Sequence, residues 1–222
     1  MQRANPESES LKNGLAVSYF KLGEIYQSMG KLPEALRYFE QQTSLFEELQ
    51  RANPESESLK NGLAVSYSKL GEIYQSMGKL PEALRYFEQR SKLGEELQRA
   101  NPESESLKNG LAISYEKLGG IYQSMGKLPE ALRYFEQRSK LGEELQRANP
   151  ESVALANGLA ISYYKVGMVH GEMEHLEEAW QYLKQAEHIW AILAESFADT
   201  PEYSRNLGIV RQWLARLSGN ES

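Results

Sequence analysis

Cysteine is absent from this chain of 222 residues. That excludes disulfides, thiolate metal sites and cysteine nucleophiles, and it fits a reducing compartment. Histidine is scarce, with only His170, His175 and His188. No apolar run approaches the roughly 18–20 residues needed to span a bilayer. The opening MQRANPESES is too polar for a signal peptide. A basic stretch is also missing. The net charge of −6 divides into −2 over residues 2–49, zero over 50–97 and over 98–145, and −4 over 146–222. Nothing here matches the electropositive footprint of a nucleic-acid binder. No glycine-rich loop could cradle a phosphate, no serine has a base paired with it, and no glutamate sits in an apolar run that would raise its pKa. The expectation is a cytoplasmic, non-enzymatic protein without cofactor or metal, whose partners are neither membrane nor nucleic acid.

What the chain does have is repetition. The phrase QRANPES opens at Gln2, Gln50, Gln98 and Gln146, a period of 48 residues. Copies 50–97 and 98–145 differ at three positions, and copies 2–49 and 50–97 at five. A fourth, worn copy spans 146–197, and residues 198–222 follow as one more helix and a tail. Such close copies point to recent duplication or to engineering. A complete copy starts right after Met1, so the natural protein is expected to continue upstream.

Within a copy the apolar spacing is helical. Leu59, Leu63, Tyr67, Leu70, Tyr74 and Met77 recur every three or four residues, one face of an α-helix. Asn53 and Pro54 are expected at its N-cap and first position, and Gly78 at its end. Gly62 reads as a small residue that lets another helix approach. A second helix is expected from Pro81 to just before Asn101, burying Leu80, Ala83, Leu84, Phe87 and Leu97. These lengths are about 24 and 19 residues. Neither helix buries its stripe alone, so hairpins must stack. After Pro201, Leu207, Val210, Trp213, Leu214 and Leu217 are expected to cap the last hairpin.

The pattern Tyr67-x-x-Leu70-Gly71-x-x-Tyr74, followed by Gly78, Leu80, Ala83 and Phe87, resembles the tetratricopeptide repeat, drawn out from about 34 residues to 48. The resemblance implies an all-α solenoid of stacked antiparallel hairpins, wound as a right-handed superhelix with a C-terminal capping helix. It implies a peptide or protein partner held in a concave groove lined by the first helices. The groove positions are then Val17, Phe20, Lys21 and Glu24 in the first copy, and Val65, Ser68, Lys69 and Glu72 in the second. In the third they are Ile113, Glu116, Lys117 and Gly120, and in the fourth Ile161, Tyr164, Lys165 and Met168.

Three details bear on that groove. The differences between the second and third copies, Val65/Ile113, Ser68/Glu116 and Glu72/Gly120, are spaced i, i+3, i+7 and share one helical face. They are expected to set partner choice, with Phe20 and Tyr164 as anchors. Lys21, Lys69, Lys117 and Lys165 form either a cationic ladder for an acidic partner or a solvated face paired with glutamates such as Glu24 and Glu72. Chaperone-binding members of the family hold a terminal carboxylate with lysines and asparagines, and these asparagines are absent here. The aromatic pairs at Tyr38, Tyr86 and Tyr134 read as core. His170 with Glu174 and His175 with Glu178 have metal-like spacing, but His170 stands at the site of core tyrosines and His175 in a turn. Beside an interaction scaffold or sensor arm, the sequence leaves open a structural spacer that self-associates through the uncapped first repeat, or an engineered array.

Overall fold

The structure is a computed structural model that describes residues 6–219, with side chains from residue 9. Its described residues form nine helices and no strand: α1 (Pro6–Ser28), α2 (Leu32–Ala52), α3 (Glu57–Ser76), α4 (Leu80–Ala100), α5 (Glu105–Ser124), α6 (Leu128–Ala148), α7 (Val153–Glu172), α8 (Leu176–Ser196) and α9 (Pro201–Leu217). This is an all-α helical-repeat fold with an extra C-terminal helix. It divides into two compact units, Met1–Leu107 and Lys108–Ser222.

In the first unit α1 pairs with α2 and α3 with α4, while α3 also packs on α2. In the second unit α7 pairs with α8, α6 packs on α7, and α9 lies on α8. Each hairpin closes through one turn. Gly78, at φ +72°, lets the Lys79 N–H reach back to the Tyr74 carbonyl at 2.9 Å. A phenylalanine of the second helix then fills a gap in the first. An added side-chain carbon at Gly119 would lie 2.6 Å from the Phe135 ring, so only glycine permits this approach. Between hairpins, Ala35 and Phe39 close over Leu70 and Ile73. Ala131 and Phe135 close over Val166 and Val169 in the same way. Gly62 does admit a neighbouring helix: the Phe46 ring rests against it.

The helix starts differ from the sequence expectation. Asn53 does not cap α3; its N–H donates to Leu49 and closes α2. The cap of α3 is Ser56, whose hydroxyl accepts from the Leu59 N–H. Residues 53–56 are needed to turn the chain from one hairpin into the next, so Pro54 lies in that turn. The helices of the second hairpin are therefore 20 and 21 residues long, close to equal. The corresponding Asn5 of the first copy lies outside the described residues.

Candidate partner-binding face

On each first helix the four groove positions share one side of that helix, and none is fully buried. Val17, Val65 and Ile113 are exposed by 51, 48 and 43%, and Ile161 is half-buried. An aliphatic side chain at the same register of every first helix thus meets solvent. Lys21 and Glu24 are exposed, while Ser68, Lys69, Glu72, Glu116, Lys117, Gly120, Lys165 and Met168 are half-buried.

The lysines are not four free cations. The Lys69 ammonium lies 3.2 Å from the Glu24 carboxylate and 5.3 Å from the Phe20 ring centroid, so it bridges to the preceding hairpin. Lys165 lies 2.9 Å from Glu116 and 5.4 Å from the Phe135 ring. The local-pair reading describes these two. Lys21 is exposed, on the helix with no preceding hairpin in the structure.

The variable stripe holds something that sequence reasoning missed. Glu116 accepts from Arg138 Nε at 2.9 Å, and Arg138 also donates to the Gly158 carbonyl at 2.7 Å and to the Ser162 hydroxyl. Burial alone would raise the Glu116 carboxyl; Arg138 and Lys165 outweigh it and hold the group below the usual carboxylate range. In the second copy Ser68 takes the place of Glu116. There burial pushes the half-buried Arg90 guanidinium pKa down, and Glu72, one turn further along the helix, opposes it. In the third copy that position is Gly120. The two exchanges therefore compensate: each copy keeps one carboxylate near its second-helix arginine. The fourth copy has Ala186 instead of arginine, with Tyr164 and Met168 on the stripe. The signal was available in the sequence as Gln42, Arg90, Arg138 and Ala186, one register position filled in three different ways.

The two expected anchors are partly engaged already. Phe20 packs edge-on to Phe39, with centroids 6.2 Å apart. Tyr164 stands 6.0 Å from Trp190. A cleft of about 270 Å³ remains beside Tyr164, between Ile161, Lys165, Trp190, Asn206 and Ile209. The tyrosine pairs are half-buried and stack on one another: Tyr74 on Tyr86 and Tyr122 on Tyr134, both at 5.5 Å. His170 takes the same place on Tyr182 at 5.6 Å. Burial pushes its imidazole pKa down; Glu178 and Glu136 oppose this and His175 adds to it. Among the described residues no three His, Asp or Glu side chains gather as a metal site, and no helix is long and apolar enough to cross a membrane.

A family model for the tetratricopeptide repeat matches residues 14–96 and 63–144. The chain belongs to the tetratricopeptide repeat family. None of the curated proteins matches the sequence. Among solved structures, the apo form of RapI superposes with a TM-score of 0.65 at 16% identity, over 93% of this chain and 67% of that one. Aspartyl phosphate phosphatase F from Bacillus subtilis gives 0.64 at 15%, over 88% of this chain and 44% of its own. A Podosopora anserina protein with nearly identical TPR-like repeats gives 0.53 at 24%, over 90% and 94%. At these identities the likeness is one of fold. This tetratricopeptide chain spans less than half of phosphatase F.

Proposed function

We propose that the chain is a protein-interaction scaffold in which each unit holds a peptide or protein segment on its first-helix face, against Val17 and Val65 in one unit and against Ile113 and Ile161 in the other. The carrying observation is the aliphatic side chain left to solvent at the same register of successive helices. A single exposed valine needs no explanation; one repeated at a fixed register forms an apolar track. The cleft beside Tyr164 would take an anchoring side chain, since aromatic-lined pockets concentrate binding energy. The paired lysines and glutamates along the track limit its net charge, so the reading favours an apolar partner segment over a strongly acidic one. It assigns the chain no catalytic step. Tetratricopeptide relatives support the class of function.

The test is selection from a random-peptide library on the full chain. A common motif should emerge that loses binding when Val65→Asp and Ile113→Asp are combined, and again with Tyr164→Ala. Peptides that bind wild type and these variants equally would place the site elsewhere.

A further inference from the structure

One register of the second helices alternates between rings and glycine. It holds Phe46 on α2, Gly94 on α4, Gly142 on α6 and Trp190 on α8. In the first unit the Phe46 ring occupies the space over Gly62 of α3, where an added side-chain carbon would lie 2.4 Å from it. In the second unit Trp190 is 3% exposed, clusters with Val210 and Leu214, and donates its indole N–H to Asn157 Oδ1 at 2.8 Å. Between α6 and α7 the same seat has no ring of its own. A side-chain carbon added at Gly158, the counterpart of Gly62, would meet no neighbouring atom within 4 Å.

A cleft of about 70 Å³ stands there, within the second unit. Gly142, Gly158, Leu155 and Leu159 line it, with Arg138 and Asn109. Each of these walls suits an aromatic ring. The two glycines leave a slot between helix backbones, and the leucines give it apolar sides. Arg138 is held in place by Glu116, the Gly158 carbonyl and the Ser162 hydroxyl. A fixed guanidinium attracts an aromatic face and gains nothing comparable from an aliphatic chain. Asn109 stands on α5 where Asn157 stands on α7, the residue that accepts the Trp190 N–H. The volume is below the roughly 150 Å³ that encloses a benzene, so a ring enters from the open side and stays partly at the mouth. The slot also adjoins the apolar track. Asn109 lies one helical turn before Ile113, and Gly158 three residues before Ile161.

We infer that the slot between Gly142 and Gly158 receives an aromatic side chain, phenylalanine or tryptophan, from the segment bound to the second unit. It takes from the partner the ring that Phe46 and Trp190 supply from the chain itself. This rests on the scaffold reading above and names the residue that the partner must carry.

Gly142→Phe copies the first hairpin and closes the slot. It should raise Tm by more than Gly142→Ala, which brings helix propensity without a ring. Library peptides that lose binding to Ile113→Asp are those held by the second unit. They should share an aromatic residue, and Gly142→Phe should weaken them about tenfold or more, the scale of a buried anchor. Replacing that residue by alanine in the peptide should cost as much, and the two changes together no more than either alone. A second arm needs no selected peptide. N-acetylphenylalaninamide at millimolar concentration should shift the amide resonances of Gly142, Gly158 and Leu159 in the full chain, and should not in Gly142→Phe. N-acetylleucinamide should shift them less. Peptides that need Ile113 yet ignore Gly142→Phe would overturn the slot and leave the scaffold reading standing. A library without binders would overturn the scaffold reading, and absent shifts with N-acetylphenylalaninamide would then remove the slot as well. A Gly142→Phe chain that unfolds, or melts below Gly142→Ala, would show that no ring fits there.

Discussion

The third and fourth hairpins share a unit and a fold but resolve the same positions with different chemistry. In the third, Lys108 reaches Glu144 at 3.4 Å across the rim of the hairpin. In the fourth these positions are Ala156 and Ile192, joined by Val153, Ile189 and Phe197, and an apolar cleft of about 470 Å³ opens there. The third keeps a half-buried arginine paired with Glu116, while the fourth has Ala186 in its place. Phe135 becomes Leu183, Tyr122 becomes His170, and the turn glycine Gly126 becomes Glu174 at φ 61°. Divergence has removed ion pairs and left apolar surface, under a backbone that scarcely changes. The backbone is set by glycine-to-ring packing and turn geometry, and charged positions are free to vary if they vary together.

The sharpest break of that comparison is in the core. Phe135 is buried, and Phe135→Ala should cost about 3–5 kcal/mol in denaturant unfolding. Phe135→Leu, the fourth hairpin's solution, should cost clearly less. Equal losses would show that the two cores are not interchangeable.

Next comes the ion cluster. Glu116→Ser leaves Arg138 without its carboxylate and should cost about 1–2 kcal/mol, since the arginine keeps Gly158 and Ser162 as partners. Adding Arg138→Ala, which imitates Ala186, should recover most of that loss, as removing both partners of a buried pair is often neutral. A double-mutant cycle with no coupling would deny the compensation. Conversely, exchanging Ser68 and Glu116 is not a silent surface change.

A smaller gain is expected at the fourth turn. Glu174 holds a left-handed conformation that glycine adopts freely, so Glu174→Gly should stabilise by about 0.5–1 kcal/mol in thermal unfolding. No gain would mean that the surrounding turn has already relaxed the strain.

The smallest effect is a slope. His170 is held neutral by burial, so its folded pKa lies below the unfolded value of about 6.5. The unfolded chain then binds more protons in that window, and stability falls as pH drops below about 6.5. His170→Tyr should flatten the dependence between pH 6.5 and 5. An unchanged slope would assign it to other groups.

Much of this fold could be read in advance. Tyr67, Leu70 and Gly71 with Phe87 describe a local packing motif, and motifs of short sequence separation survive translation into structure. The helix starts were misread because two cap signals compete. Asn53-Pro54 and Ser56-Glu57 both look like N-termini, and only the need to turn between hairpins decides for Ser56. The site was half visible. The stripe Val65, Ser68, Glu72 lies on the accessible side as its spacing demands. Its electrostatics were not visible, because Glu116 finds Arg138 and Lys165 at separations of 22 and 49 residues. No periodicity encodes those pairings.

The near-identity of the repeated helices has a consequence for how the chain folds. The second helices α2, α4 and α6 present nearly the same apolar stripe, and α3 and α5 nearly the same receiving face. A collapsing chain therefore meets several pairings of almost equal energy, the condition for a rugged landscape with out-of-register traps. Local connection favours the native choice, because a hairpin closed by a turn at Gly78 forms before distant helices meet. The worn fourth hairpin, with Leu183 where its siblings carry phenylalanine and Ala186 where they carry glutamine or arginine, differs most from the others. Its divergence works as an index mark in an otherwise degenerate array.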